Sequence, residues 1–329
     1  MKKYATLLLV CTLLFSCKNT SSETEQIAES DAQTENDEVK MNNEPLTISL
    51  AQWSYHLPIQ KGEMDAMDFA EKAKELGFDN IEYVDQLYAI DPNKPYKEEV
   101  MRLAAAWKEK NEEFEVNPNL IMIDTAGELA DPSEEKRKAA VEMHKAWVDA
   151  AVEIGCPAIR VNLFGYTEIE PWHKASVASL KELGAYALEK NIKVLPENHA
   201  QLSNNPELMV SVIDEVNLSS VGTLPDFGNW CVLREGGDRW NGPCLDEYDR
   251  YKGIKLLLPF AGGVSAKSND FDENGDETTT DYYKMMQILK DANFSGIIGV
   301  EYENEEYMDP TEGILATKAL IIKAHQQAN

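Results

Sequence analysis

The chain is short of positive charge. Its 329 residues carry 31 lysines and arginines against 58 aspartates and glutamates, a net charge of −27. Nucleic-acid binding needs a clustered basic face, and no lysine/arginine cluster of that kind occurs, so no nucleic-acid partner is expected. A neutral small molecule or a metal cation suits the charge better, although the acidity also serves solubility. Cysteine is scarce too, with five residues and no CxxC or Cys/His spacing of a zinc site. No glycine-rich phosphate loop follows the first strand-like run, which reads Gln52-Trp53-Ser54-Tyr55-His56 at its end, and no P-loop occurs. An open nucleotide-binding sheet is therefore not expected. The apolar run at the start, Tyr4–Phe15, falls well short of the about 20 residues that a membrane-spanning helix needs.

Lys2 and Lys3 precede that run, which ends Leu14-Phe15-Ser16-Cys17. A charged start, a short apolar stretch and a small residue before the cut describe a secretory signal peptide. The last four residues resemble a bacterial lipobox, in which Cys17 becomes the lipidated first residue. Residues 1–17 thus read as a lipoprotein signal peptide. Residues 18–44 hold eight acids, two lysines and no aromatic residue. Such a segment buries too little apolar surface to offset its ordering entropy, and it reads as a disordered acidic tether. The expected location is the bacterial cell envelope, on the periplasmic or surface side, with the membrane met only through the lipid anchor. Cys11 would leave with the signal. Cys231 and Cys244 flank one loop and could pair in an oxidising compartment, which leaves Cys156.

Residues 45–329 contain no second linker and read as one domain. A short β-type run, a loop and an amphipathic helix recur along it. The runs are Leu46–Gln52, Asn80–Val84, Leu120–Ile123, Ala158–Leu163, Lys193–Glu197, Val221–Asp226, Gly262–Lys267 and Ile297–Glu301. Between them lie stretches rich in Ala, Leu, Glu and Lys. Met64–Leu76 has helical spacing and stops at Gly77; Ser133–Ile154 starts after Asp131-Pro132 and stops at Gly155. Alternating strands and helices imply an α/β fold with a parallel sheet. Eight units at a repeat of roughly 36 residues, a reasonable βαβ length, imply closure into a (β/α)8 TIM barrel.

In such barrels the site forms at the carboxyl ends of the strands. Glu82 lies on the second run, Arg160 and Asn162 on the fourth. The fifth ends Pro196-Glu197-Asn198-His199, the sixth Pro225-Asp226-Phe227-Gly228-Asn229-Trp230, the seventh Ser265-Ala266-Lys267 and the eighth Glu301-Tyr302-Glu303. Acids are depleted within strands. Glu197, Asp226 and Glu301 would crowd three carboxylates into one mouth, where they repel unless protonated or neutralised by a cation. A divalent metal is the simplest neutraliser. Oxygen ligation suits Mg²⁺ or Mn²⁺, and a nearby histidine would admit Zn²⁺ or Co²⁺. His199 is a candidate acid/base residue. Lys267, Asn229, Arg160, Asn162, Trp53, His56 and Glu82 are candidates to hold substrate. The acidic stretch Asp270–Asp276 lacks EF-hand spacing and reads as a turn.

The segments AEKAKELGFDNIEYVD, VLPENH, GTLPDFGNW, GVSAKSNDFDENG and GIIGVEYEN resemble the xylose isomerase-like TIM-barrel superfamily, the sugar phosphate isomerase/epimerase group. The resemblance covers 46 to about 325 and implies a divalent metal held by Glu197, Asp226 and Glu301. It also implies that Glu197 and Glu301 shuttle a proton on opposite sides of the substrate. The family's strand-seven motif is usually His-x-Lys, where this chain has Ser265-Ala266-Lys267. The histidine often found three residues after the strand-six aspartate is Asn229. Three protein ligands, a different fourth, or weak metal binding are therefore the alternatives expected.

The function expected is a carbohydrate enzyme of the isomerase/epimerase type that abstracts a proton α to a sugar carbonyl. The same enolisation would serve a lyase acting on oxidised (keto) glycosides. A non-catalytic sugar-binding lipoprotein is the alternative if no metal binds. An endonuclease-like role is opposed by the acidic charge and the missing histidines.

Overall fold

A computed structural model describes residues 46–304 and 306–328. The signal peptide, Cys17 and the acidic tether lie outside the described residues. Nine strands and nine helices are described. The strands are β1 (Ile48–Ala51), β2 (Asn80–Val84), β3 (Asn117–Met122), β4 (Ala158–Val161), β5 (Lys193–Pro196), β6 (Cys231–Arg234), β7 (Cys244–Glu247), β8 (Gly263–Ser268) and β9 (Ile297–Tyr302). The helices are α1 (His56–Gln60), α2 (Phe69–Glu75), α3 (Tyr96–Phe114), α4 (Glu134–Ile154), α5 (Ile169–Leu188), α6 (Pro206–Val216), α7 (Arg250–Leu257), α8 (Tyr282–Asp291) and α9 (Pro310–Gln327). No described helix is long and apolar enough to cross a membrane.

Seven strands form one parallel sheet in the order β5-β4-β3-β2-β1-β9-β8. The eighth stave is the extended segment 221–226, at the place expected for the sixth strand. It makes isolated parallel bridges to both edges, Val194 with Val221 and Glu197 with Leu224 on one side, Thr223 with Ala261 and Asp226 with Ser265 on the other. Ser265 N–H donates to Pro225 O and Phe227 N–H to Ser265 O. Pro225 has no N–H, so this stave cannot run a continuous ladder, yet it closes the barrel.

Local signals behave as their chemistry dictates. Ser133 caps α4 by accepting from Lys136 N, and Gly155 ends it at φ +72°. Gly77 takes φ +71° after α2. The expected helix Met64–Leu76 begins instead as a 3₁₀ turn, Ala66–Asp68, capped by Asp65, before α2. Strand β3 starts earlier than Leu120: Asn117 and Pro118 pair with Asn80 and Ile81, and a register shift between Ile81 and Glu82 passes over Asn119.

Strand parity separates two cores. Leu50, Ile81, Tyr83, Ile159, Val194, Val264, Ala266, Ile298 and Val300 pack outward under the helices. Ala51, Val84, Leu120, Met122, Ala158, Leu195 and Leu224 form a smaller cluster inside the barrel. On the same strand faces as this inner set sit Glu82, Arg160, Glu197, Lys267 and Glu301, all buried. One element was not foreseen: β6 and β7 make an antiparallel hairpin outside the barrel sheet. A Cys231–Cys244 disulfide with Cα atoms 5.8 Å apart staples it, and Cys156 remains a buried free thiol.

Candidate functional site

The carboxyl ends of the staves open into a cavity of about 660 Å³. At its base Glu197, Asp226 and Glu301 each offer an oxygen, and these oxygens all lie within 4.8 Å of one another. All three side chains are buried. The barrel register sets this up. Asp226 pairs with Ser265, and Lys267 pairs with Glu301, so late staves end at one level.

Each acid is positioned separately. Asp226 Oδ1 accepts from the backbone N–H groups of Gly228 and Asn229, at 2.7 and 2.8 Å. The Asn198 side chain straps the turn: its Oδ1 accepts from Asp226 N (2.7 Å), and its Nδ2 donates to Asn229 O (2.8 Å). Asp226 Oδ2 is buried without any hydrogen-bond partner. Glu301 Oε2 accepts from the Ser265 hydroxyl at 3.1 Å. Glu197 Oε1 accepts from Asn229 Nδ2 at 3.3 Å, and its Oε2 lies 2.9 Å from Arg160 Nε.

Lys267 Nζ stands to one side of the trio, 3.0 Å from Glu303, 3.2 Å from Asn229 Oδ1 and 3.7 Å from Glu301. Gly228 leaves it room, since a Cβ there would come within 2.8 Å of Lys267 Cδ. Ser265 and Asn229, which occupy the two positions where the resemblance expects histidine, thus face the acids as polar neighbours.

Electrostatics follow from burial. Desolvation raises Glu197 well above the ordinary glutamate value, against the pull of Arg160 and with repulsion from Asp226 and Glu301. It pushes Glu301 up to about 8, although Lys267 opposes this. Asp226 is raised for the same first reason. Burial would depress Lys267, but Glu303 and the three acids hold it well above the usual lysine value.

A second network fixes His199. Arg160 and Asn162 both bind Asp124, Asn162 Nδ2 donating to its Oδ1 at 2.7 Å. Despite its burial, Asp124 stays below the usual aspartate value because of the Arg160 charge. A carboxylate only accepts, so Asn162 must turn its NH₂ to Asp124 and its oxygen to His199. His199 Nδ1 lies 2.8 Å from that oxygen and therefore donates. Burial, then Arg160 and Lys267, hold His199 well below the usual histidine value. The ring is neutral with Nε2 as an acceptor.

The cavity wall includes Trp53, Arg160, Asn162, Glu197, His199, Asn229, Lys267 and Glu301. Two other candidates lie elsewhere. Glu82 takes the Ser49 hydroxyl inside the barrel and does not line the cavity. His56 stacks on Trp53, ring centroids 4.2 Å apart, behind the wall. Asp124, Glu303, Phe164 and Trp240 line the cavity and were not foreseen. Asp124 directly follows the third strand-like run, and Glu303 shares the strand parity of Glu301, so both signals were in the sequence.

The donor set fits a hard divalent cation. Three carboxylates converge, one oxygen is orphaned, and no histidine nitrogen belongs to the trio, which favours Mg²⁺ or Mn²⁺ over Zn²⁺. Among the described residues this is the one cluster of three or more acidic, histidine or cysteine ligands so arranged.

Solved structures share the fold. A 3-keto-D-glucoside 4-epimerase from E. coli superposes with a TM-score of 0.63 at 16% identity, covering 85% of this chain and 100% of that one. An L-ribulose 3-epimerase gives 0.64 at 13%, covering 86% and 96%. A family 2 AP endonuclease from Brucella melitensis gives 0.58 at 14%, covering 82% and 97%. At such identities the likeness is one of fold, and the three activities differ. By sequence, no curated protein matches the chain. Residues 70–324 match the family model of the xylose isomerase-like TIM barrel, and the chain belongs to that family.

Proposed function

We propose that the chain is a divalent-metal-dependent sugar isomerase or epimerase that removes and returns a proton α to a sugar carbonyl. The convergence of Glu197, Asp226 and Glu301 around the partnerless Asp226 Oδ2 carries this reading. These three residues would hold the metal, whose chemistry is to anchor vicinal sugar oxygens and polarise a carbonyl.

The chain's own groups supply the rest. Glu197 and Glu301 enter the mouth from β5 and β9, and are assigned to take up and return the proton. His199, neutral with Nε2 as acceptor, orients a substrate hydroxyl. Arg160 and Lys267 hold developing negative charge, Asn162 and Asn229 bind sugar oxygens, and Trp53 covers part of the wall.

Metal content of the purified protein, measured beside Glu197→Gln and Glu301→Gln, is the test. The reading expects near-stoichiometric metal in the parent and loss in the variants. It then expects deuterium incorporation next to the carbonyl when a ketose that binds is incubated in D₂O. No metal after reloading would sink it. The envelope address belongs to the same proposal, and the disulfide, typical of oxidising compartments, supports it. Cys17→Ser should release the chain from the membrane fraction, and an unchanged distribution would refute lipidation.

A further inference from the structure

Beyond the carboxylates the cavity is bounded by the β6–β7 hairpin, and its chemistry changes there. Trp240 lies in the hairpin loop, 50% exposed, with its ring centroid 4.9 Å from His199 and edge-on to Phe164 at 5.6 Å. The Arg239 guanidinium lies 4.0 Å over the Phe164 ring and pairs with Glu128 at 2.7 Å. The loop is held in shape. Asp238 Oδ1 accepts from Trp240 N and Asn241 N at 2.8 and 2.6 Å, and Asn204 Nδ2 donates to Cys231 O at 2.9 Å. The disulfide closes its base.

This hairpin buries little of its own. Strand β7 is exposed throughout, so no core explains a stapled ribbon at this place. What the ribbon does hold fixed is an indole beside the reaction centre, with much of its surface open. Aromatic faces take up the C–H faces of sugar and aryl rings while the hydroxyls at the rim stay hydrated. The cavity volume of about 660 Å³ lies in the range that holds drug-sized ligands, more than a single hexose of twelve heavy atoms requires.

We propose that the hairpin forms a second subsite, which takes the aglycone or second sugar unit of a glycoside, laid on Trp240, while the sugar to be transformed sits at the carboxylates. The substrate class is therefore a glycoside whose reacting ring carries a ketone, as proton abstraction α to a carbonyl requires, rather than a free monosaccharide. The assignment of which ring meets the carboxylates rests on the proposed function; the subsite itself does not.

The test compares affinities of the full mature chain for methyl β-glucoside, 4-nitrophenyl β-glucoside and cellobiose by calorimetry. The two larger ligands should bind more tightly. Trp240→Ala should cut that advantage about three- to tenfold, Trp240→Phe should keep most of it, and the Cys231→Ser/Cys244→Ser double variant should also reduce it. An equal advantage in Trp240→Ala, no advantage in the parent, or no binding of any of the three would overturn the subsite. Metal content and deuterium exchange are read on the same preparations. Their failure with the Trp240-dependent advantage intact would sink the reaction and leave the subsite. Their success without that advantage would do the reverse.

Discussion

Glu82 offers a sharp check on the electrostatics of the barrel interior. It is almost completely buried, takes the Ser49 hydroxyl and lies against Gly299, where a Cβ would come within 2.7 Å of its Oε1. Burial raises its pKa from 4.5 to about 7, with the Ser49 hydrogen bond and the Arg160 charge opposing. Between those two values the folded chain keeps a proton that the unfolded chain gives up, so stability falls as pH rises through that window. Below about 4.5 both states are protonated and the penalty vanishes. Above about 7 it is complete, at about 3 kcal/mol. Glu82→Gln abolishes this titration and still accepts from Ser49. Its buried NH₂ costs about 1–3 kcal/mol if unpartnered, but at every pH alike. Urea unfolding of both proteins, followed by tryptophan fluorescence at pH 4.5, 6 and 8, reads the difference. The variant should gain about 3 kcal/mol on its parent between the first and last pH. Parallel profiles would show that Glu82 titrates normally and refute the reasoning.

Two further substitutions probe the cavity. Asp124→Asn takes from the buried Arg160 one of its two carboxylate partners, leaving Glu197, and should cost about 3 kcal/mol at pH 7. Because the folded Asp124 value is lowered, its contribution exists above the unfolded value and disappears as pH falls through the folded one, so the gap should shrink in acid; a cost under about 1 kcal/mol at pH 7 would contradict the pairing. Ser265→His adds an imidazole beside Glu301 and should tighten Zn²⁺ or Co²⁺ at least about tenfold in a chelator competition. Unchanged affinity would move the metal away from the trio.

Much of this was legible in the chain because it rests on local chemistry. Helix stops at Gly77 and Gly155, the Ser133 cap and the strand-end acids 197, 226 and 301 depend on nearby residues and on the strand-helix alternation. What failed depends on partners far off in sequence. Pro118 argues against a strand until its pairing with Ile81 is known. Glu82 and Glu197 look alike as strand acids, but only the second ends its stave near the mouth, where it meets Arg160 and Asn229. The hairpin gave no alternating apolar pattern, since nothing covers it, and its two cysteines were its main signal. Trp240 and Phe164 are 76 positions apart in the numbering and meet only through that ribbon.

The charge count at the mouth favours a cation there. Glu197, Asp226, Glu301, Glu303, Asp124 and Glu128 face four permanent cations, Arg160, Lys267, Arg234 and Arg239, but Arg239 is paired with Glu128 and Arg234 donates to Gly242 O of the hairpin loop. His199 cannot help, because its surroundings keep it neutral. Arg160 is spent on Asp124 and Glu197, and Lys267 is drawn toward Glu303 at the rim. Neither reaches the free oxygen of Asp226. Without a metal, burial first, and for Glu197 and Glu301 repulsion from their acidic neighbours as well, shifts the three acids toward their protonated forms, so that all three values are raised. Protons and a divalent cation therefore compete for one place, and metal uptake should release protons to the solvent. Calorimetry of Mn²⁺ binding in buffers of different ionisation enthalpy would count them. A heat independent of buffer would mean that the acids were already ionised and that something other than protonation had stabilised the trio.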